Sequence, residues 1–302
     1  MKLSIITINR NNAEGLARTL ESTFAAQSGF GDWEQIVVDG ASTDGSFAAL
    51  DKWKDDPHLG WHVSEPDAGI YNAMNKGIAH SRGDYLLFLN SGDELLPDTL
   101  ENVFAKSRDE DIIYGDLVMV NGRGNAETRN YPDADEIVTA FFLFWSLPHP
   151  ASFISRKLLE STGGYDDSFR IVSDAKFFLQ AVTNGAHLAK VPFPISRFHL
   201  GGASTDPVTR KNHLDERETM LASFFGPWTA HQAVHPFEGR PWIRADIAEA
   251  AKKDQQLATM LRYTASLLSY LWRFAPTRLI LRTVCSAASF VRRLFRPVAR
   301  PW

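Results

Sequence analysis

The chain has 302 residues, 23% of them charged and 44% apolar, fractions ordinary for a globular protein, and its length suits one large domain, or one domain with an appendage. Its net charge of −4 is unevenly spread: Arg262–Trp302 carries eight Arg and no Lys, Asp or Glu, which leaves −12 on residues 1–261. Cys285 is the only cysteine, so an intramolecular disulfide is excluded and a reducing compartment is expected.

The opening KLSIITIN predicts a strand over Lys2–Ile8, not the basic, apolar and small-residue succession of a secretory signal. Asn9, Arg10 and Asn11 break it. Ala13–Ala26 has helical spacing through Leu16, Leu20 and Phe24. Trp33–Val38 is a second apolar strand, closed by Asp39-Gly40. Ser46–Trp53 predicts a helix, Gly60–Ser64 a short third strand and Ile70–His80 a further helix. Tyr85–Leu89 is a continuous apolar run, as in a strand buried on both faces. Ile112–Val120 is a fifth strand. Strands alternating with helices at this spacing argue for an α/β domain on a mainly parallel sheet. No uncharged apolar run approaches the roughly 20 residues of a membrane-spanning helix, so the body is expected to be soluble and cytoplasmic.

Three of the strands end in polar residues: Thr7-Ile8-Asn9-Arg10, Asp39-Gly40-Ala41-Ser42-Thr43-Asp44-Gly45 and Asn90-Ser91-Gly92-Asp93. Open α/β sheets bind ligands outside the carboxyl ends of their strands, so three such ends on one edge predict a site. There is no phosphate loop of Gly, four residues and Gly-Lys-Ser/Thr, and no Gly-x-Gly-x-x-Gly. The segment from Asp39 is not an EF-hand loop, because Ala41 and Leu50 stand where ligands are needed. Without a glycine-rich loop, a diphosphate needs another counter-charge. Asp93 would supply it through magnesium or manganese, which take oxygen ligands and often use one or two carboxylates plus substrate phosphates. The plain alternative makes Asp93 a helix cap after a strand-to-helix turn.

Six pieces in order carry a resemblance: SIITINRN at Ser4–Asn11, IVVDGASTDGS at Ile36–Ser46, SEPDAGIYNAMNKGIAHSRGDYLLFLNSGDE at Ser64–Glu94, LPHPASFISR at Leu147–Arg156, GGYDDSFRIVSDAKFFLQ at Gly163–Gln180 and FHLGGAS at Phe198–Ser204. Together they resemble family 2 glycosyltransferases of the GT-A fold, in the bacterial polysaccharide subgroup typified by colanic acid, capsule and O-antigen assembly. The resemblance implies inverting transfer of a sugar from a nucleotide donor, with a uridine diphosphate sugar expected. It implies that Thr7, Asn9 and Arg10 cradle the nucleotide, that Asp39 binds base or ribose, and that Asp44 steadies the loop. It also implies that Asp67 and Lys76 face ribose and diphosphate, that Asn90 and Ser91 line the donor, that Asp93 holds Mn2+ or Mg2+, and that Asp174 is the catalytic base. Two positions depart from the family pattern. Asn90 stands where an acid usually opens the metal motif, and Ser173 stands where Glu commonly precedes the base.

Each assignment has a plainer counterpart. His199, before Gly201-Gly202, completes the metal site through a ring nitrogen or is a surface residue at a strand end (Ile195–Phe198). His149, between two prolines, contacts acceptor or diphosphate or is a rigid turn residue. Asp174 or Ser173 alternatively caps the helix through Lys176–Val182, and Lys76 alternatively is an exposed helix charge. Phe141, Phe142, Phe144 and Trp145 line the acceptor side or are core.

The boundaries expected are a catalytic domain over 1–205, a helical or irregular extension over 206–253 and a basic amphipathic helical tail over 254–302. Leu257, Leu261, Leu267, Leu268, Leu271 and Phe274, with Arg273, Arg278, Arg282, Arg292, Arg293 and Arg296, predict an interfacial helix on the inner face of the cytoplasmic membrane. A packed hairpin or a self-association surface is the alternative. A membrane site suits a lipid-linked or oligosaccharide acceptor, whereas an acidic body disfavours nucleic acid. The runner-up function is a non-catalytic subunit that binds nucleotide or carbohydrate, permitted by Asn90 and Ser173.

Overall fold

The structure, a computed structural model, describes residues 1–25, 29–106, 108–134, 147–201 and 210–225. The chain divides into two compact units, Met1–Asp135 with Phe144–Glu216, and Glu136–Leu143 with Arg217–Trp302. The described part of the second unit is Arg217–Phe225, the last turns of a helix over Arg210–Phe225. The expected boundaries at 205 and 253, the aromatic group Phe141–Trp145 and the basic tail lie outside the described residues.

The first unit runs β1 (Leu3–Asn9), α1 (Ala13–Ala25), β2 (Trp33–Asp39), β3 (Leu59–Ser64), α2 (Ile70–His80), β4 (Tyr85–Phe88), β5 (Glu94–Leu95), α3 (Thr99–Phe104), β6 (Ile112–Val120), β7 (Ala126–Arg129), β8 (Ser152–Ser155), α4 (Arg156–Thr162), α5 (Ser173–Thr183) and β9 (Leu188–His199). One nine-stranded sheet results, ordered β3-β2-β1-β4-β8-β6-β9-β5, with β7 paired to β6. Its first four strands are parallel.

Every residue of β1 and β2 is buried, because helices cover both faces. In their register Ile6 lies opposite Ile36 and Thr7 opposite Val37, so these two pairs point to opposite faces. Leu16 and Leu20 of α1 pack with Val37 and Leu50 on one face, while Gly77 of α2 lies against Ile6 on the other. Leu16 and Leu20 are fully buried, and burial of each contributes about 1.5–3 kcal/mol. Several polar groups inside these strands are met by neighbouring strands: Ser4 Oγ donates to Glu34 Oε1 (2.7 Å) and Gln35 Nε2 to Thr7 Oγ1 (3.0 Å).

Two expectations change. Ser46–Lys52 is a 3-10 segment, not an α-helix. It follows left-handed Gly45 without a side-chain cap, and seven residues close few α-helical turns. The sheet is also less parallel beyond β4. There β8 runs antiparallel to β4 and β6, β7 forms a hairpin with β6, and β5 is antiparallel to β9, although β9 is parallel to β6. For β7 the cause is the connection: β6 returns through the tight turn Asn121–Asn125 instead of through a crossover helix.

Candidate active site

Because β1, β2, β3 and β4 are parallel, their carboxyl ends share one edge. There Asp39 is fully buried yet accepts four hydrogen bonds: from Asn9 Nδ2 (2.7 Å), Ser42 Oγ (2.6 Å), Ser42 N–H (2.9 Å) and Ser64 Oγ (2.6 Å). Burial acts to raise its pKa, but the bonds from Ser42, Ser64 and Asn9 together lower it below the usual value. The carboxylate therefore stays charged at neutral pH. Asn9 is 4% exposed, and its Oδ1 has no hydrogen-bond partner among the described residues. An orphaned buried acceptor is costly unless a ligand satisfies it.

Asp44 braces the loop after β2. Its Oδ2 accepts the Ala13 N–H at the start of α1 (2.9 Å), and its Oδ1 accepts the N–H and hydroxyl of Ser46. Gly40 leaves room for two side chains, since a Cβ there would run into Asp67 Oδ2 and lie 3.4 Å from Arg10 Cδ. Gly40 therefore brings Arg10 and Asp67 to one spot, with Asp67 also accepting the Gly69 N–H at 2.9 Å.

Thr7 differs from the expectation that it meets a ligand. It is fully buried, and its hydroxyl donates to Leu89 O at 2.8 Å, locking β1 to the end of β4. Lys76 is engaged too: Nζ pairs with Glu65 at 2.7 Å and donates to Pro66 O at 3.0 Å. It holds the segment before Asp67 instead of presenting a free charge.

The turn Asn90–Asp93 is closed by Asp93 N–H on Asn90 O (3.0 Å), with Gly92 in the left-handed region (φ 108°) that favours glycine. Helix α1 grips this turn at successive positions. Asn12 Nδ2 donates to Ser91 O (3.0 Å), Gly15 O and Thr19 Oγ1 accept the Gly92 N–H (3.0 and 2.9 Å), and Thr19 Oγ1 donates to Asp93 O (2.7 Å). Asn90 Oδ1 is buried and has no hydrogen-bond partner among the described residues.

Asp93 is 6% exposed, and its carboxylate takes one hydrogen bond among the described residues, a long one from the His199 N–H at 3.3 Å. Burial pushes its carboxyl up to about 8, with the His199 bond lowering it and Glu94 raising it further. A carboxyl this poorly solvated needs a proton or a cation. The antiparallel pair β5/β9 brings His199 here, but its ring turns away: Nε2 lies 2.7 Å from Glu94 Oε1, and Arg197 pairs with the same carboxylate at 3.5 Å. Only the His199 main chain reaches Asp93, which corrects the simple picture of a ring nitrogen beside the acid.

The donor types suit a small hard cation: one turn carries the buried Asp93 carboxyl and the Asn90 amide oxygen, which has no partner among the described residues. Among the described residues no three His, Cys, Asp or Glu side chains are grouped to hold a metal by themselves. Remaining ligands would have to come from a diphosphate and water, as magnesium and manganese permit.

Asp174 lies in the first turn of α5, where Oδ1 accepts the Tyr71 hydroxyl at 2.8 Å. Tyr71 is one residue into α2, the helix that leaves the same sheet edge after β3. Asp174 is thereby tied to the edge that carries Asn9, Asp39 and Asp93. His149 is 8% exposed, its ring stacks on Phe88 at 5.1 Å, and Nε2 meets the Tyr165 hydroxyl at 2.8 Å. Burial lowers its pKa, partly opposed by Asp174. The structure places it in an aromatic core rather than on an accessible rim. A cavity of about 220 Å³ lies between α5 and Gly163–Asp166, lined by Ser173, Lys176 and Phe177 but not by Asn9, Asp39, Asp93 or Asp174.

The family model described as Glycosyl transferase family 2 matches residues 4–177, more than half of the chain. The chain is a member of glycosyl transferase family 2. A relative from Mycobacterium bovis, a PGL/p-HBAD biosynthesis glycosyltransferase, is 32% identical over 217 residues, covering 69% of this chain and 81% of the relative. Among solved structures, S. aureus TarS 1–349 in complex with UDP-GlcNAc superposes with a TM-score of 0.62 at 18% identity, over 90% of this chain and 81% of that one. The mannosyltransferase PcManGT from Pyrobaculum calidifontis, in complex with GDP-Man and Mn2+, gives 0.51 at 19% identity, over 98% and 81%. The fold of this family 2 member is the GT-A fold.

Several residues of the candidate site escaped the sequence reading. Ser42 and Ser64 look like ordinary turn residues, yet both hold Asp39. Glu94 and Arg197 meet only through the β5/β9 pairing, and Tyr71 reaches Asp174 across the fold. The one local signal was position: Glu94 directly follows the acid of the turn, and Ser42 stands three residues after Asp39.

Proposed function

We propose that this family 2 member is an inverting, metal-assisted transferase that moves a sugar from a nucleoside diphosphate donor, a uridine diphosphate sugar in the first instance. The acceptor would be a hydroxyl of a glycan or lipid-linked glycan in surface polysaccharide or glycolipid assembly. The observation that carries this reading is the buried Asp93 carboxyl, met by one long hydrogen bond among the described residues, in the turn that also holds the unpartnered Asn90 amide oxygen, at the sheet edge where Asp39 is held charged. The donors named with TarS and PcManGT, UDP-GlcNAc and GDP-Man, support a nucleotide-sugar donor, and the Mn2+ of PcManGT supports a metal. The name of the M. bovis relative supports glycan assembly.

In this reading Asn9 and Asp39 take base or ribose, with Arg10 and Asp67 at the rim and Asp44 and Ser91 fixing the loops. Asp93, with Asn90 in the same turn, holds Mn2+ or Mg2+, and the diphosphate and water complete the shell. The bound cation would stabilise charge on the departing diphosphate. Asp174 takes the proton of the acceptor hydroxyl as that oxygen bonds to the anomeric carbon. The carbon–oxygen bond to the diphosphate breaks on the opposite side and its electron pair leaves with the diphosphate, so the configuration inverts.

Titration with UDP, GDP and ADP in the presence and absence of MnCl2, paired with release of UDP from UDP-sugars, tests the reading. Binding that Mn2+ strengthens at least tenfold and that is at least tenfold tighter for one nucleoside is expected, together with turnover. Binding without any turnover across the donors would favour a non-catalytic subunit, and no binding would sink both.

The basic tail is proposed to hold the protein at an anionic membrane face. Among the described residues no helix is long and apolar enough to cross a membrane. Full-length protein should float with vesicles containing about a third phosphatidylglycerol, and protein ending near Asp254 should stay in the soluble fraction. Equal flotation of the two would refute the anchor and leave self-association as the role of the tail.

A further inference from the structure

The Tyr71 hydroxyl lies between two acceptors, Asp174 Oδ1 at 2.8 Å and the main-chain carbonyl of Ile171 at 2.7 Å. A phenol has one proton, so it cannot make two full-strength donations at once. Tyr71 is 4% exposed, and burial followed by the Asp174 charge raises its pKa well above the ordinary tyrosine value, so it remains a donor at neutral pH. The Ile171 carbonyl is held in turn, because the Arg170 and Ile171 N–H groups donate to Glu216 Oε1 and Oε2 at 3.0 and 2.8 Å. The second oxygen of Asp174, Oδ2, has no hydrogen bond among the described residues and no Lys or Arg pairs with the carboxylate there.

We propose that Tyr71 is the positioning residue for Asp174: its hydroxyl fixes Oδ1 so that Oδ2 is presented to the reacting hydroxyl, and it turns its proton to the Ile171 carbonyl when Asp174 is protonated. This rests on the reading of Asp174 as the base. Once Asp174 is neutral its Oδ1 is a weaker acceptor than the peptide carbonyl of Ile171, so the turn keeps the buried phenol on the stronger partner in each state. Tyr71 itself exchanges no bond: the reacting hydroxyl gives its proton to Asp174 as its oxygen bonds to the anomeric carbon and the diphosphate departs, and the Tyr71 proton rotates without leaving its oxygen. The titratable groups around the carboxylate are Tyr71 on α2, Tyr165 and His149 beside it, whose proton affinities feel its charge, and Glu216 behind Ile171.

A hydrogen bond to the charged form of a carboxylate favours that form. The test is a 13C carboxyl NMR titration of full-length protein labelled at Asp, with the Asp174 resonance assigned by its loss in Asp174→Asn. In Tyr71→Phe the Asp174 midpoint should rise by about one pH unit. A 3-fluorotyrosine at position 71, a stronger donor in the same packing, should move the midpoint down, which keeps the test open if the Phe variant melts early. An unchanged midpoint in either folded variant overturns the proposal, whatever the activity does. Full donor turnover by Asp174→Asn would instead overturn the reading of Asp174 as the base, so the two failures are told apart.

Discussion

Asp174→Asn should lower sugar transfer by about 10²–10⁴-fold, the usual contribution of a positioned general base, and leave nucleotide binding within twofold. Asparagine keeps the size of the side chain and an oxygen for the Tyr71 hydroxyl, so the 2.8 Å contact survives and only the capacity to take a proton is lost. The position is in the first turn of α5, where loss of a negative charge from a helix N-terminus costs about 0.3–1 kcal/mol. A fall in melting temperature of a few degrees is therefore compatible with a folded variant. Calorimetry with UDP and MnCl2, alongside kcat for donor turnover, separates the effects. Retention of wild-type kcat would remove Asp174 from the chemistry. A parallel loss of UDP binding would point to a donor-side role instead.

The second large effect is expected at Asp93. Asp93→Asn should reduce Mn2+-dependent nucleotide binding by at least tenfold, while Mn2+-independent binding persists. The pH dependence gives a sharper signature. In the metal-free protein the carboxyl titrates near 8, against 3.8 for the ordinary group. The folded state thus holds a proton that the unfolded chain has released, and stability from this group is fully present below about 4. It falls as pH rises towards about 8 and levels off above, because the folded state binds more protons than the unfolded one only in that window. Mn2+ must displace the same proton, so its apparent affinity should rise by about tenfold per pH unit up to about pH 8 and flatten beyond. Asp93→Asn should abolish both slopes. Urea unfolding of metal-free protein between pH 5 and 9, with Mn2+ titrations at the same pH values, checks this. A variant that keeps wild-type Mn2+-dependent binding would exclude Asp93 as the ligand.

The parallel half of the sheet was legible because its strands are buried on both faces and therefore read as unbroken apolar runs. β1, β2 and β4 lie within a residue or two of their expected limits, and the polar residues that stop each run mark the sheet edge directly. The antiparallel half was not. β9 spans Leu188–His199, yet only Ile195–Phe198 reads as strand, since Pro192 and Pro194 each remove a donor and argue against a central strand. The sheet tolerates them through register irregularities opposite Asp116. The hairpin to β7 was missed although Asn121-Gly122 is a turn signal, because all four β7 residues are exposed and no apolar alternation announces them.

At the candidate site, residue types near one another in sequence were readable and long-range partners were not. Asp39 with its following loop, and the turn ending at Asp93, stand out locally. That Thr7 is locked inside the sheet, that Lys76 is paired with Glu65, and that His149 is packed on Phe88 depend on three-dimensional neighbours. The His199–Asp93 contact joins residues 106 apart and the Tyr71–Asp174 contact residues 103 apart, separations at which spacing carries no information.

The carboxylate of Asp39 is embraced by hydroxyl, amide and main-chain dipoles, with no ion pair among the described residues. Mobile ions weaken attraction between exposed opposite charges but have little hold on fixed dipoles in a buried nest. Raising ionic strength should thus loosen the partly exposed Lys76–Glu65 and Arg197–Glu94 pairs while the dipoles that hold the Asp39 carboxylate stay in place.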